Sequence, residues 1–221
     1  MFWVFTSMSG WMQADHLFQQ RLHDVEQAGN GVLDLSQIAL DRVDPETTTR
    51  ISTCAGIIST LKLRHVDFSA PEALACFRSI LAELTASHRS TMATLDLTQA
   101  HHALCRPVVD LVVQEALGKW WRLQHVHVDG CTGTKNTDNG LERLATAVVT
   151  RIPLLKSFTA VHAARDVAHE RKVRLVLGGD DSNARVVRSR VSCLGGTSNA
   201  YTVDYDEIHD DVFHATLFLT D

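Results

Sequence analysis

His125 and His127 are separated by one residue, and Cys131 follows shortly after. In an extended segment, residues i and i+2 share a face, so both imidazoles would point the same way. That is the beginning of a metal site, but a third and fourth ligand at a zinc-like spacing are missing. Two histidines on an open polar face are ordinarily solvated, so no metal ion is expected. His101-His102 lies in a loop and is read the same way. Gly130–Lys135 carries glycine, threonine and lysine without the spacing of a phosphate-binding loop, and reads as a polar connection. Asp204, Asp206, Glu207, Asp210 and Asp211 form an acidic cluster without the glycine and ligand order of a calcium loop. The cluster reads as a solvated turn, available to a basic partner. Arg185, Arg188 and Arg190 are placed to pair with it or to meet an acidic partner. No nucleophile and base can be matched, no paired carboxylates stand in a pocket motif, and no cofactor motif occurs. The chain is therefore expected to be non-catalytic. Trp120-Trp121 is a sharper signal. Neighbours on a helix differ by about 100° in direction, so the two rings should not bury in one core. An exposed tryptophan is a favoured interface anchor; the plain alternative is that it covers the adjoining unit.

The elements that must position these residues follow a repeated phrase, Leu-x-x-Leu-x-Leu. It is found at Ile58–Leu63, Met92–Leu97, Leu123–Val128 and Leu155–Ala160, with a shortened copy at Val32–Leu35. Strands are expected at 32–35, 59–64, 93–98, 124–129 and 156–160. Between them run helical patterns. Phe18, Leu22 and Val25 mark a helix over 14–28, stopped by Asn30-Gly31. Asp44-Pro45-Glu46 reads as an N-cap, a first-turn proline and a first-turn acid, ahead of Ile51, Cys54 and Ile58. Pro71 and Pro107 open two more helices, the first with Leu74, Phe77, Leu81 and Leu84 in a stripe. Leu141, Leu144, Val148 and Ile152 belong to a helix after Asp138-Asn139-Gly140. Equivalent apolar positions, Leu35, Leu63, Leu97, Val128 and Ala160, recur roughly every 30 residues, enough for one strand and one helix.

Such units cannot bury their apolar faces alone and must stack. The strand patterns alternate: Leu61 and Leu63 are apolar while Thr60, Lys62 and Arg64 are polar. A doubly wound sheet, covered on both faces, wants continuous apolar strands. One open face is therefore expected, bearing Asp34, Lys62, Asp96, His127 and Thr159 in one column. Val32, Thr60, Thr94, His125 and Ser157 form the flanking column. Parallel strands lie about 4.8 Å apart, which would set Lys62 between two carboxylates. Such a face is a recognition surface, or simply a solvated sheet face with balanced charges.

In composition, 45% of residues are hydrophobic, ample for a core, and the formal charge of −5 argues against direct nucleic-acid binding. The 5 cysteines are scattered and odd in number, which favours a reducing, intracellular and most simply cytoplasmic setting over a disulfide framework. No apolar run approaches the roughly eighteen residues of a membrane span. The apolar start, Met1–Phe5, lacks the basic flank of a targeting segment and is expected to cap a core or insert into a neighbour.

On the repeated phrase, residues 32–160 resemble the leucine-rich repeats of the ribonuclease-inhibitor-like class. In that family the phrase ends in Asn or Cys, a place taken here by Cys131 and otherwise by Ile38, Val66, Ala100 and Ala163. The resemblance implies an α/β solenoid, with a curved parallel sheet and helices on its convex side. As one domain over 1–221, it would comprise an N-terminal cap (1–31), repeats (32–177, with a short last unit ending in a strand at 173–177) and a divergent C-terminal cap (178–221). Strands within 185–193 and 214–219 are compatible with that cap. It further implies a protein-binding module, most simply a scaffold subunit of a larger assembly. Asp34, Lys62, Asp96, His125, His127, Thr159, Trp120 and Trp121 are the candidate contacts. A ubiquitin-ligase substrate adaptor and an α/β enzyme are the competing readings.

Overall fold

The computed structural model describes residues 3–132, 140–152, 154–160, 190–193, 201–204 and 216–219. Helix α1 spans Trp3–Ala28, so it begins well before the expected start at residue 14. Strand β1 (Val32–Asp34) follows, then a short 3-10 turn at Leu40–Arg42 and two single-turn helices, α2 (Pro45–Thr48) and α3 (Arg50–Thr53). Next come β2 (Thr60–Lys62), α4 (Pro71–Ser87), β3 (Thr94–Asp96) and α5 (Arg106–Leu111). A wide π turn over Val112–Ala116 prolongs α5 before β4 (His125–His127), α6 (Gly140–Arg151) and β5 (Ser157–Thr159). Three further strands are β6 (Arg190–Cys193), β7 (Tyr201–Asp204) and β8 (Thr216–Leu219).

Local chemistry explains the helix starts. Asp44 caps α2 by accepting the Glu46 amide at 2.9 Å, with Pro45 in the first turn. Asp15 of α1 accepts the Asp44 amide at 2.8 Å and the Thr47 hydroxyl at 3.0 Å, joining the first helix to the second. Proline also stands in the first turn of α4 and of α5, where a missing amide hydrogen costs no helix bond.

The first five strands pair in parallel and in sequence order, β1-β2-β3-β4-β5, and β8, β6 and β7 continue the same sheet beyond β5. Register is uniform: Leu33, Leu61, Leu95, Val126 and Phe158 are successive partners. All five are fully buried and join the helix residues Phe18, Phe77, Leu81, Val108, Leu144 and Val148 in one core. The residues flanking them point the other way, and that face stays partly open.

The strands are shorter than their apolar pattern suggested, because each turns away soon after its third residue. The ladder nevertheless continues: Leu35, Leu63, Leu97 and Val128 donate to the carbonyls of Lys62, Asp96, His127 and Thr159 at 2.8–2.9 Å. Three residues beyond the strands, Gln37, His65, Gln99 and Gly130 all take positive φ, between 57° and 65°. Only one is glycine. The amides of Gln37, His65 and Gln99 bond across to Arg64, Thr98 and Asp129, so the neighbouring strand fixes the left-handed turn. After each turn a small or apolar side chain enters the core: Ile38, Val66, Ala100 and Cys131.

At the C-terminal side the described strands depart from the parallel pattern. β8 pairs antiparallel with β5, β6 is parallel to β8, and β7 is antiparallel to β6. β6 and β8 fall within segments expected to form strands. The expected strand at 173–177, the acidic cluster beyond Asp204, Arg185 and Arg188, Ala163, and the Gly133–Lys135 part of the glycine-rich loop lie outside the described residues, as do Met1 and Phe2. Among the described residues, no helix is long and apolar enough to cross a membrane.

Candidate functional site

The half-open sheet face brings the candidate residues together in the order expected. Asp34 pairs with Lys62, Lys62 with Asp96, Asp96 with His127 and His127 with Thr159; in the flanking column His125 pairs with Ser157. Asp34, Lys62, His125, His127 and Thr159 are half-buried. Asp96 is not surface-exposed, because its side chain is only 3% accessible.

The charges are also distributed differently from the expected alternation. Lys62 lies between Asp34 and Asp96 but forms no ion pair among the described residues. Asp34 turns back to accept the Ser36 amide at 3.0 Å. Asp96 takes two guanidinium contacts from Arg64, both at 2.6 Å, and accepts the Thr98 amide at 3.0 Å. Burial alone would push the Asp96 carboxyl up. The hydrogen bonds from Arg64 and Thr98 and the guanidinium charge outweigh it and hold the carboxyl below its usual range.

The two imidazoles stand as a stack, centroids 6.2 Å apart and planes 7° from parallel. His125 Nδ1 lies 2.7 Å from Ser157 Oγ, and His127 Nδ1 lies 2.8 Å from Thr159 Oγ1. The Thr159 hydroxyl donates to Asp129 at 2.8 Å. Its proton is committed, so its oxygen accepts from His127 Nδ1–H, and uncharged His127 keeps a lone pair on Nε2. His125 is pushed down from the ordinary imidazole value, first by burial and then by the positive charges of His127 and Lys156. The face can thus offer a lysine cation, aligned imidazole nitrogens and hydroxyls to a partner. Among the described residues no three histidine, cysteine or carboxylate groups come close enough to hold a metal ion.

Trp120 and Trp121 do not belong to this face. They sit in the turn before β4, not on a helix, so the helical argument for separating them does not apply. The separation itself holds. Trp120 is 1% exposed, and its Nε1 donates to Thr85 Oγ1 at 2.9 Å, which makes it a core residue and removes it from the candidate contacts. Trp121 is 47% exposed, with the Arg122 guanidinium 4.8 Å from its ring centre.

A separate shallow cleft of about 470 Å³ lies among Gln19, Leu22, His23, Glu26, Arg50, Thr53 and Cys54. Burial raises the Cys54 thiol, with Glu26 adding to the rise, so it stays protonated near neutral pH and is a poor nucleophile. Cys76 and Cys131 are pushed up to about 12 by burial.

The interactions that sequence reasoning missed share one geometry. Arg64 and Asp129 each stand two residues beyond the main column, in a third column with Ser36 and Thr98. From there they reach diagonally to the next strand, to Asp96 and to Thr159. The signal was available in the period-two pattern, since diagonal neighbours are within reach of long side chains. No family model, no curated protein and no solved structure matches the chain.

Proposed function

We propose that the chain is a leucine-rich-repeat module that binds another protein and serves as a scaffold subunit of an assembly. The observation that carries this reading is the half-open strand face. Stacked units present Lys62, His125, His127 and Thr159 in strict register, each half-accessible, over a fully apolar core. Polar groups held on strands are pre-ordered, so a partner meets them at little entropic cost. The repeat reading has its own support. Cys131, the residue that matches the family's final Cys, donates its thiol to the Leu97 carbonyl of the preceding unit at 2.8 Å. The solenoid reading also accounts for the turn that recurs at Gln37, His65, Gln99 and Gly130.

The test is native co-purification of the tagged chain, compared with a Lys62→Ala/His125→Ala/His127→Ala variant. The variant loses the His125–Ser157 and His127–Thr159 hydrogen bonds, so its melting temperature falls somewhat, while circular dichroism still reports the folded chain. Retained partners fall by about tenfold or more, as expected when a few anchors dominate an interface. Unchanged partners would remove the strand face from the reading. Turnover of a small molecule by the purified chain, abolished by a change in the cleft at Arg50 while all partners stay bound, would replace it with the enzyme alternative.

A further inference from the structure

The rim where the chain enters its strands is unlike the rest of the molecule. Its connections are 28–31, 54–59, 88–93, 117–124 and 152–156. None of them contains a carboxylate, although Glu26 of α1 accepts the Ala55 amide there at 3.0 Å, and Arg89, Lys119, Arg122 and Lys156 all lie there. The opposite rim, after the strands, is mixed: it carries Asp41, Asp44, Asp67 and Asp129 beside Arg42 and Arg64, which are ion-paired. Lys119 is paired with Glu115 at 2.7 Å. Arg89, Arg122 and Lys156 are exposed and form no ion pair among the described residues. The same rim holds three of the exposed large apolar side chains: Ile57 at 68%, Trp121 at 47% and Leu154 at 47%.

Cations near helix ends are ordinary partners of the helix dipole. That explanation covers Arg89, just past α4, but not Arg122 and Lys156, which stand close to the strands. Nor does it explain why apolar side chains are interleaved with them. In strand order the rim reads Ile57 before β2, Arg89 before β3, Trp121 and Arg122 before β4, and Leu154 and Lys156 before β5. These positions follow one edge of the sheet across three strand spacings, about 14 Å. An extended segment of about four residues has that length. A bilayer surface would instead call for apolar and basic groups spread over an area.

We propose that this rim, from Ile57 to Lys156, docks an extended acidic segment of a partner protein. Trp121 and Leu154 are its apolar anchors, and Arg89, Arg122 and Lys156 supply the countercharge. The proposal rests on the protein-binding reading and assigns it a second surface and a partner chemistry. Arg122, stacked on Trp121, would both hold the ring and meet a carboxylate.

The experiment is fluorescence anisotropy of the full chain with a labelled octapeptide of alternating glutamate and leucine. The controls are a lysine–leucine peptide and phosphatidylserine vesicles in a sedimentation assay. The acidic peptide binds, the basic peptide does not, and the affinity drops as ionic strength rises from about 0.05 to about 0.3 M. Arg122→Glu/Lys156→Glu and Trp121→Ser, all at exposed positions, each weaken binding by about tenfold or more without moving the melting temperature. The strand-face variant Lys62→Ala/His125→Ala/His127→Ala binds the peptide like the wild type. Absence of peptide binding at about 1 mM, or unchanged binding by the rim variants, overturns the proposal. So does vesicle binding without peptide binding, which assigns the rim to an anionic membrane. Loss of cellular partners on strand-face substitution, with an inert rim, sinks this proposal and leaves the protein-binding reading standing.

Discussion

Arg64 and Asp96 make the most consequential contact on the strand face. The carboxylate is buried and the guanidinium is half-exposed, so the two partners are not equivalent. Removing the arginine strands a charge that has lost water, while removing the aspartate leaves a cation that can hydrate. Arg64→Leu should therefore lower stability by about 1–3 kcal/mol in urea unfolding at pH 7. The sign with pH follows from the depressed carboxyl. Its contribution is present above the usual carboxylate value and is lost as pH falls through its folded value. The deficit of the variant should shrink below about pH 4 as the carboxyl takes up a proton, and a deficit independent of pH would deny the pair this role. His125 runs in the same sense, since the folded chain disfavours its protonated form as well. The unfolded chain then binds more protons below the ordinary imidazole value, so wild-type stability should decline as pH falls from about 7 to about 5. His125→Gln should flatten that part of the profile, measured as the urea midpoint against pH. The columns holding these residues were legible in the alternating strands. Their partners were not, because Arg64 and Asp129 act across a diagonal that a strand-by-strand reading does not follow.

At the scale of elements, the strongest signals were those with two coincident causes. Asp44-Pro45-Glu46 combined a cap with a fixed φ, and the helix begins there as expected. Leu95 and Leu97, Val126 and Val128 combined alternation with recurrence, and all are buried. Trp120-Trp121 had only helical geometry behind it, and the pair lies in a turn. The recurrent left-handed turn had no sequence signal. Glycine announces that backbone at Gly130, but glutamine and histidine hold it at the other three positions because cross-strand hydrogen bonds impose it. This leaves strain that can be relieved. Gln37 is exposed, and its φ is 63°. Gln37→Gly removes a Cβ from a conformation that costs an L-residue about 1–2 kcal/mol, against a smaller loss in backbone entropy. A net gain of about 0.5–1 kcal/mol should appear as a raised urea midpoint. Gly130→Ala should do the reverse, since its new Cβ would also stand 3.0 Å from Gln99 Cγ.

For the whole molecule, repetition made the first five strands and their pairing readable, and its decay hid how the later strands pair. Each copy of the phrase predicts its neighbour, so register propagates from Leu33 to Phe158 without any long-range information. β8 obeys no such rule: it pairs antiparallel with β5 through partners that lie about 60 residues away in the chain. That pairing has a physical purpose visible in the sheet order. Without it, β5 would present a row of unpaired backbone groups, the usual template for edge-to-edge association. The described strands end instead at β7 on that side and at β1 on the other, where Asn30 accepts the Val32 amide at 3.0 Å. A chain cut after Ala160 should therefore keep its parallel strands and self-associate more than the full chain. Sedimentation velocity at rising concentration would show a growing share of larger species, while circular dichroism would still report α/β structure. Lys156→Pro in the truncated chain removes an amide that bonds to the Gln124 carbonyl of β4's lead-in at 2.7 Å, so it would confuse strand loss with edge blocking. A charged residue at Phe158 would break the core. The informative control is Thr159→Lys, which places a charge on the half-open face of the exposed edge. If that substitution reverses the added association, the terminal strands act as an edge cover; if the cut chain associates no more than the full chain and is equally stable, they do not.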